Sequence, residues 1–398
     1  MPRRPSLELT ERDLVAVRLP VGPRWLDVVR TAWELGAALL PVDDRLPRTA
    51  SEGLVRRARA TAVLSDDGVQ RLADGERAGE GVALVVATSG TSGEPRLVEL
   101  ERRAIEAAVS ASARALDAST DDGWLLCLPT SHVAGMLVLF RGLLLGAPVD
   151  VHPSFEPERI RAAGEVNFVS VVPTMLRRLL DAGVDLGGFT SILVGGAHLR
   201  PDLRDRAERA GAHVVETYGL TESCGGVVYD GVPLDGVGVR VDATGRVELS
   251  GPTLMKRYRF DADETADAFT DDGWLRTRDV GRTDDLGRLH VRGRIDDAIS
   301  TGGETVWPGE VESVLASHPK VAEVSVVGRP DRQWGARVVA LVVPRDRADP
   351  PMLDDLRTLA TERLGRYKAP RELEIVTRLP RTAIGKVRRP AETMVRPE

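Results

Sequence analysis

One ten-residue stretch constrains this chain more than any other: residues 87–96 read Ala-Thr-Ser-Gly-Thr-Ser-Gly-Glu-Pro-Arg, with clustered hydroxyl side chains, glycines and a closing cation. Glycine lets a backbone turn sharply and approach oxygen atoms closely, and hydroxyl and amide groups donate hydrogen bonds to those atoms. The apolar run Val82–Val86 precedes the stretch and an amphipathic segment starts at Arg103, so we expect a strand, a loop and a helix. The pattern predicts a loop that holds a polyphosphate. A flexible linker is the alternative, and a Walker loop is excluded because no Gly-Lys-Ser/Thr follows.

The composition fits an enzyme of several domains and disfavours other classes of protein. The 398 residues suggest two or three domains, and 42% hydrophobic with 29% charged residues is typical of soluble globular enzymes. A net charge of −6 argues against nucleic acid as a partner. We expect no signal peptide and no membrane partner, because the basic N-terminus precedes no apolar segment and Arg141 interrupts the longest apolar region. Cys127 and Cys224 form no metal-ligand pattern and fit a reducing cytoplasm.

The pattern of apolar runs changes once along the chain. From about residue 310 it predicts two helices and three strands in a compact α+β unit. We therefore predict an α/β N-terminal domain with mixed sheets over 1–293, a connection at 294–297 and an α+β C-terminal domain over 298–398. Before about residue 290, apolar runs alternate with helical stretches, which is typical of an α/β body; the runs include Leu125–Leu128, Phe168–Val172, Ser191–Val194, His213–Val215 and Val247–Leu249.

A second chemical motif is Glu216-Thr217-Tyr218-Gly219-Leu220-Thr221-Glu222, which follows one of these strand-like runs. A threonine beside a carboxylate at the end of a strand can donate to a phosphate and ligate the Mg²⁺ that accompanies it. A turn with a capping threonine is the alternative. The motif therefore predicts a second element of a phosphate site.

A third motif places Asp279 at the end of Gly273-Trp274-Leu275-Arg276-Thr277-Arg278-Asp279 and is followed by Arg294. One carboxylate can accept hydrogen bonds from both hydroxyls of a ribose, and an arginine can reinforce that contact. A surface ion pair is the alternative interpretation of the two residues.

The fourth motif, Pro380-Arg381-Thr382-Ala383-Ile384-Gly385-Lys386, presents a lysine at the tip of a turn. Only four of the 54 cationic residues are lysines, so a lysine at this position suggests a role that arginine cannot fill. Lysine is a compact cation on a flexible stem and can bridge a carboxylate and a phosphate oxygen. A solvated loop lysine is the alternative.

Together and in this order, the four motifs resemble those of the adenylate-forming superfamily of acyl-CoA ligases, nonribosomal adenylation domains and luciferases, from about residue 82 to residue 388. The resemblance implies a large adenylation domain, a small mobile C-terminal domain, and ATP, Mg²⁺ and coenzyme A as cofactors and co-substrate. It implies ATP contacts at Thr88, Ser89, Gly90, Thr91, Ser92, Gly93, Arg96, Gly196, Ala197, Glu216, Thr217, Tyr218, Asp279 and Arg294.

The resemblance also implies individual roles. The loop at 88–96 holds the β- and γ-phosphates, Thr221 touches the α-phosphate, Glu222 holds the Mg²⁺, and Lys386 is essential for the first half-reaction. The remaining roles are an acyl-pocket gate at His132, an acyl contact at Gly195, a pantetheine tunnel at Gly302 and Gly303, and a hinge at Asp296.

The implied chemistry has a physical reason. A carboxylate is a poor electrophile, and its attack on the α-phosphorus of ATP makes an acyl adenylate from which a thiol can displace AMP. Since that attack joins two anions, Mg²⁺ and cationic side chains must stabilise the transition state. Domain closure would bring Lys386 to the first step, and rotation about Asp296 would withdraw it before the second.

The sequence departs from the family pattern in several places: residues 97–102 lack the usual Ser-His, and only 86 residues precede the phosphate loop. Arg96 stands where lysine is usual, which an arginine-rich chain tolerates at a phosphate contact. Arg278 replaces the usual glycine before Asp279, which puts the geometry at the ribose in doubt.

The short N-terminal region and residues 217–236 resemble the short form of the o-succinylbenzoate–CoA ligases of menaquinone biosynthesis. That acid carries a second carboxylate and a keto group, so its pocket needs a fixed donor. Arg141, within an apolar helix-like run after His132, is our candidate, and a helix-edge arginine that reaches solvent is the alternative. Weaker candidates are Thr130, Ser131 and Ser223.

Other functions remain open at this point. A ligase for another aryl or medium-chain acid is the nearest rival, and a catalytically inactive nucleotide-binding relative belongs to a different class. A nonribosomal loading module is less expected, because no carrier domain follows Lys386. By analogy alone, the resemblance includes a homodimer among the expected assemblies.

Overall fold

The computed structural model describes residues 9–88, 95–162 and 166–380. Contacts between residues divide the chain into two compact units. The first unit comprises residues 1–199, 203–239 and 249–276, and the second comprises 200–202, 240–248 and 277–398. The second unit therefore starts before the connection that we predicted at 294–297. Gly293 belongs to this unit and packs there against the ring of Trp307. A hinge at Asp296 stays a prediction.

The secondary structure alternates throughout the described residues. The helices are α1 (Arg24–Leu35), α2 (Arg48–Arg57), α3 (Arg102–Ala115), α4 (Val133–Leu145), α5 (Pro157–Ala162), α6 (Pro173–Asp181), α7 (Pro201–Arg209), α8 (Ala262–Ala268), α9 (Pro308–Leu315) and α10 (Leu353–Leu364). The strands are β1 (Leu14–Val17), β2 (Ala38–Pro41), β3 (Ala62–Ser65), β4 (Gly68–Arg71), β5 (Val82–Thr88), β6 (Arg96–Glu101), β7 (Trp124–Leu126), β8 (Val149–Val151), β9 (Phe168–Val171), β10 (Ser191–Gly195), β11 (Val214–Leu220), β12 (Gly225–Tyr229), β13 (Val232–Pro233), β14 (Gly238–Val241), β15 (Arg246–Ser250), β16 (Arg257–Tyr258), β17 (Leu275–Thr283), β18 (Leu289–Arg294), β19 (Ile299–Thr301), β20 (Glu304–Val306), β21 (Val321–Asp331), β22 (Gly335–Pro344) and β23 (Glu372–Ile375).

The first unit contains two mixed sheets. One has the order β16-β6-β5-β2-β1-β3-β4 and the other the order β13-β12-β11-β10-β9-β7-β8. In the second of these sheets, β8, β7, β9, β10 and β11 run parallel, and their apolar side chains form a buried core with α6. The mixed α/β architecture expected for this part of the chain is confirmed.

The segment that follows the phosphate loop differs from the prediction. Residues 95–101 lead into a strand, β6, which pairs antiparallel with β5, and the helix α3 starts only afterwards. The expected order of strand, loop and helix was therefore wrong. The run Leu97-Val98-Glu99-Leu100 explains the result, because these four buried residues suit a strand between two neighbours. The described residues on either side of the loop are therefore strands, β5 and β6.

The second unit contains the predicted α+β fold. In its C-terminal part, β20, β19, β22 and β21 form an antiparallel path, and β23 adds to β22 in parallel. Its core joins these strands to α9 and α10 through buried side chains such as Val311, Leu315, Leu356 and Ala360. A second sheet, with the order β14-β15-β17-β18, contributes the strands that carry Asp279 and Arg294. Among the described helices, none is long and apolar enough to cross a membrane.

Candidate active site

The carboxyl ends of the parallel strands β10 and β11 carry two of the predicted motifs. Their register places Gly195 opposite Thr217, so residues 195–197 and 216–218 lie side by side at the carboxyl ends of these two strands. A Cβ atom on Gly195 would lie 2.3 Å from Thr217 Oγ1, which explains the glycine. Ligand sites of α/β sheets form at such strand ends. Gly196 (φ 76°) and Ala197 are exposed there, as an adenine contact requires.

The side chains of β11 at this edge are only half-buried, which leaves them accessible to a ligand. Glu216 Oε1 accepts a hydrogen bond from the backbone of Leu199 at 3.4 Å, and Thr217 Oγ1 donates to the carbonyl of Val194 at 3.5 Å. Tyr218 pairs with Val228 of β12. These contacts fix the backbone at three positions that the resemblance assigns to ATP binding.

Thr221 and Glu222 lie in a tight turn between β11 and β12. The turn depends on Gly219, since a Cβ atom there would lie 1.8 Å from the carbonyl oxygen of Gly225. The Ser223 hydroxyl accepts from the backbone amide of Leu220 at 2.9 Å and lies 3.0 Å from the carbonyl oxygen of Gly225. Ser223 is therefore engaged in holding the turn, and its role as an acyl contact stays a prediction.

Glu222 and Arg96 are brought together by a residue that the sequence analysis did not single out. Tyr258 Oη donates to Glu222 Oε1 at 2.9 Å, and the Arg96 guanidinium lies 5.3 Å from the centre of the Tyr258 ring. Arg96 also forms an ion pair with Glu264 of α8. Burial, together with the neighbouring Glu222 carboxylate, raises the pKa of Tyr258, so its hydroxyl stays protonated and donates. The end of the phosphate loop and the Thr-Glu turn thus belong to one site.

Only the flanks of the phosphate loop can be described. Thr88 ends β5 and pairs with Arg96 at the start of β6. Five of the predicted contacts, Ser89, Gly90, Thr91, Ser92 and Gly93, lie outside the described residues, as does Lys386. The other three lysines form ion pairs: Lys256 with Glu101, Lys320 with Asp349 and Lys368 with Glu310.

His132 is half-buried at the residue before α4, with an extended backbone (φ −113°, ψ 145°). Its neighbour Ser131 lies 3.4 Å from Asp43 Oδ2. The Arg45 side chain, and to a smaller extent His132, hold the pKa of Asp43 below 3.8. Asp43 is therefore an ionised group next to the predicted acyl gate.

Arg141 is buried, with 4% of its surface exposed, so the alternative of a helix-edge arginine reaching solvent was wrong. Its guanidinium lies 4.3 Å from the Trp124 ring, and Nη2 donates to Ser112 Oγ at 2.9 Å. Its Nε has no hydrogen-bond partner among the described residues. Because nine helical residues span about 13 Å, Arg141 lies well beyond His132 along α4. Its acyl role stays a prediction.

In the second unit, the predicted ribose pair is adjacent. Asp279 on β17 lies directly opposite Arg294 on β18, with 4.0 Å between Asp279 Oδ1 and Arg294 Nη1. The residue that departs from the family pattern, Arg278, forms an ion pair with Asp296 at 3.2 Å. The third motif and the predicted hinge residue Asp296 therefore form one charged cluster within this unit.

Gly302 and Gly303 form the two-residue turn between β19 and β20. Both have positive φ angles, 61° and 85°, as a tight hairpin turn requires. A Cβ atom on Gly302 would lie 2.7 Å from the ring of Trp334. A turn of this kind presents bare backbone, which is compatible with the predicted pantetheine contact.

The donors near Glu222 fit a magnesium ion that arrives with ATP. Mg²⁺ is commonly bound by one or two carboxylates together with phosphate oxygens and waters. Thr221 and Glu222 supply one hydroxyl and one carboxylate at the turn. Within the described residues there is no group of three or more histidine, cysteine or acidic side chains that could hold a metal by itself.

Sequence reasoning missed Tyr258, Glu264 and Asp43. Tyr258 had one available signal, since tyrosine is as rare as lysine in this chain, with four residues of each. Glu264 and Asp43 had none, because acidic residues are common and these two are distant in sequence from the motifs they contact.

Comparison with known proteins identifies the class. Residues 71–258 match the family model of the AMP-binding enzymes, and residues 310–386 match that of the AMP-binding enzyme C-terminal domain. The chain belongs to the AMP-binding enzyme family.

Within that family, the similarity is more specific. A probable 2-succinylbenzoate–CoA ligase of Mycobacterium tuberculosis is 42% identical over 330 residues, covering 80% of this chain and 85% of that protein. The o-succinylbenzoate–CoA synthetase of Bacillus subtilis, solved with its acyl-adenylate intermediate, has a TM-score of 0.84 at 27% identity, covering 95% of this chain and 87% of that one. The same enzyme, solved with ATP and magnesium, has a TM-score of 0.84 at 28% identity, covering 95% and 89%.

Proposed function

We propose that this chain is an ATP-dependent, AMP-forming acid–CoA ligase that acts on o-succinylbenzoate (2-succinylbenzoate) in menaquinone biosynthesis. One observation carries the proposal: Tyr258 contacts both Arg96 and Glu222, so a group suited to triphosphate and a group suited to Mg²⁺ face one site. The named relatives supply the substrate class, since the mycobacterial protein is named a probable 2-succinylbenzoate–CoA ligase and the Bacillus subtilis protein an o-succinylbenzoate–CoA synthetase.

In the first half-reaction, different residues of the first unit would bind different phosphates of ATP and its metal ion. Arg96 and the hydroxyls at 88–92 would bind the β- and γ-phosphates, and Thr221 would orient the α-phosphate. When bound, Mg²⁺ at Glu222 supplies positive charge that offsets the repulsion between carboxylate and triphosphate. The substrate carboxylate oxygen then forms a bond to the α-phosphorus, and the bond to pyrophosphate breaks.

The second half-reaction replaces AMP by a thiol. The CoA sulfur forms the thioester bond to the acyl carbon, and AMP leaves with the electron pair of the broken C–O bond. Gly302 and Gly303 are proposed to line the pantetheine, Asp279 and Arg294 to hold the ribose, and Asp296 to act as the hinge. Lys386 is proposed to act in the first step alone.

The surroundings of Arg141 support the proposal that the acid substrate carries a second anionic group. The Arg141 guanidinium is buried, and its Nε has no hydrogen-bond partner in the described structure. This N–H group is suited to donate a hydrogen bond to a carboxylate or keto oxygen of the substrate. The chemistry of o-succinylbenzoate meets that need, whereas a simple aryl or medium-chain acid does not.

Two properties of the whole protein are part of the proposal. Cytoplasmic location fits the two buried, unpaired cysteines Cys127 and Cys224. A homodimer rests on analogy with other family members, and sedimentation at micromolar concentration tests it.

ATP–pyrophosphate exchange with a panel of acids, followed by thioester formation with CoA, tests the function. We expect exchange and thioester with o-succinylbenzoate in preference to benzoate and medium-chain acids. Preference for another acid would identify the rival ligase. Exchange without thioester would indicate a loading module, and no exchange with any acid would indicate an inactive relative.

A further inference from the structure

Tyr258 holds two oppositely charged side chains of the candidate site at once. Its hydroxyl donates to Glu222 Oε1 at 2.9 Å, while Arg96 lies over its ring at 5.3 Å. On its other side Arg96 pairs with Glu264. The four side chains therefore form a continuous chain in the order Glu222, Tyr258, Arg96 and Glu264.

An arginine and a glutamate that face one site present an electrostatic problem. In the absence of ligand they attract each other, and a direct pair would neutralise the charges that Mg²⁺ and the triphosphate need. Here a neutral aromatic ring stands between the two groups. Each charge has its own partner, and the hydrogen bond from Tyr258 engages Oε1 of the Glu222 carboxylate.

Tyr258 is itself rigidly placed. It is 5% exposed, and its strand β16 pairs with β6, which begins at Arg96. Its backbone amide donates to Thr265 Oγ1 at 3.0 Å, and the nearby amide of Met255 donates to the carbonyl of Glu222 at 2.7 Å. The segment 255–258 thus links the Thr-Glu turn to the strand that follows the phosphate loop.

We infer that Tyr258 is a positioning residue for magnesium: its hydroxyl orients the Glu222 carboxylate toward the metal of MgATP and keeps that carboxylate from pairing with Arg96. This inference rests on the proposed function, since it assumes that Glu222 meets MgATP. Partners that orient a metal-binding carboxylate affect metal affinity or activity by about 10- to 100-fold when they are removed.

The test is Tyr258→Phe in the full chain, which removes the hydroxyl and keeps the ring beneath Arg96. We expect the Mg²⁺ concentration for half-maximal ATP–pyrophosphate exchange to rise about 10-fold or more. At saturating Mg²⁺ the KM for ATP should stay nearly unchanged, because the contact with Arg96 persists. Thioester formation from supplied acyl adenylate should also be unchanged, because that step uses no triphosphate.

Tyr229→Phe is the matched control. Tyr229 is also buried and its hydroxyl hydrogen-bonds to Ser112 Oγ at 2.8 Å, so its removal should leave the Mg²⁺ dependence unchanged. The inference is overturned by unchanged Mg²⁺ dependence in Tyr258→Phe, by equal losses in both half-reactions, or by a Tyr258→Phe chain that does not fold. Absence of exchange in the unmodified chain would instead contradict the proposed function.

Discussion

Arg141 is a cation that folding has removed from water. Within the described part of the chain Arg141 forms no ion pair with a carboxylate, and burial lowers the pKa of its guanidinium although the nearby Tyr229 hydroxyl acts in the opposite direction. The Trp124 ring and Ser112 Oγ compensate part of the lost hydration. A second, anionic group of a substrate would supply the remaining partner.

Replacing Arg141 by alanine should therefore raise the KM for o-succinylbenzoate by about 10-fold or more, the scale of a lost hydrogen bond to a charged group. The KM for a monocarboxylic acid such as benzoate should hardly change. Steady-state kinetics with both acids checks this. Equal losses on both acids would remove Arg141 from substrate recognition.

The residues of the site show what a sequence can reveal at this scale. Asp279 and Arg294 were identified from their types and spacing, and they lie opposite each other because an antiparallel hairpin joins them. Tyr258 was missed because its partners, Arg96 and Glu222, meet it only through the pairing of distant strands. The sequence around Arg141 also left open whether its side chain is buried or reaches solvent, and only the fold shows that it is buried.

At the scale of elements, the carboxylate of Asp13, just before β1, is bonded to the residue before β3 and to the last residue of β4. Asp13 is 2% exposed and accepts hydrogen bonds from Thr61 at 2.9 Å and Arg71 at 2.7 Å. Burial raises the pKa of Asp13, but these bonds and those from Thr10 outweigh it and hold the pKa below 3.8.

A lowered pKa in the folded state means that the ionised carboxylate stabilises the fold above its unfolded pKa, and that this stabilisation is lost as the pH falls through the folded pKa. Asp13→Asn should lower the free energy of unfolding at pH 7 by about 1–3 kcal/mol. The difference from the unmodified chain should shrink as the pH falls below about 4. Urea unfolding across this range measures it. Asp66→Asn, in the exposed pair with Arg24, should have little effect throughout.

The β11–β12 turn depends on a close backbone approach. Gly219→Ala would place a methyl group 1.8 Å from the carbonyl oxygen of Gly225, so the turn that carries Thr221 and Glu222 must move. We expect a loss of stability of about 1–3 kcal/mol and a loss of adenylation of about 10²-fold. Thermal unfolding and exchange assays check both. Gly53→Ala in α2, where no atom lies within 4 Å of the added Cβ, should be neutral or stabilising; comparable damage there would contradict the steric explanation.

Element types were predicted best where the apolar pattern was long. The runs Phe168–Val172 and Ser191–Val194 became β9 and β10 almost residue for residue. The error at β6 arose because the short segment 97–100, between the phosphate loop and the amphipathic stretch that starts at Arg103, was not recognised as a strand. Its identity as a strand comes from pairing with β5 and β16, which no local pattern reveals.

At the scale of the whole molecule, residues that we propose to bind ATP occur in each of the two units. Thr88, Arg96 and Glu222 belong to the first unit, and Asp279 and Arg294 belong to the second. Two units were expected from the change in sequence pattern. The boundary at 293 and the hinge at 294–297 stay predictions.

Lys386→Ala tests whether the half-reactions use different arrangements of the chain. It should reduce adenylate formation by about 10²-fold or more, the scale of one preorganised charge contact. Thioester formation from supplied acyl adenylate should remain nearly intact. Rapid-quench measurement of each step separates the two, and similar damage to both would contradict an exchange of conformations about Asp296.

The most direct test of carboxyl activation through an adenylate follows one oxygen atom. o-Succinylbenzoate labelled with ¹⁸O in its carboxylates is incubated with the enzyme, MgATP and CoA, and the products are analysed by mass spectrometry. We predict one ¹⁸O atom in each AMP formed and none in pyrophosphate, because the attacking carboxylate oxygen stays on the α-phosphorus when the thiol displaces AMP. Label in inorganic phosphate with ADP as the co-product, or thioester formed without labelled AMP, would contradict the adenylate route.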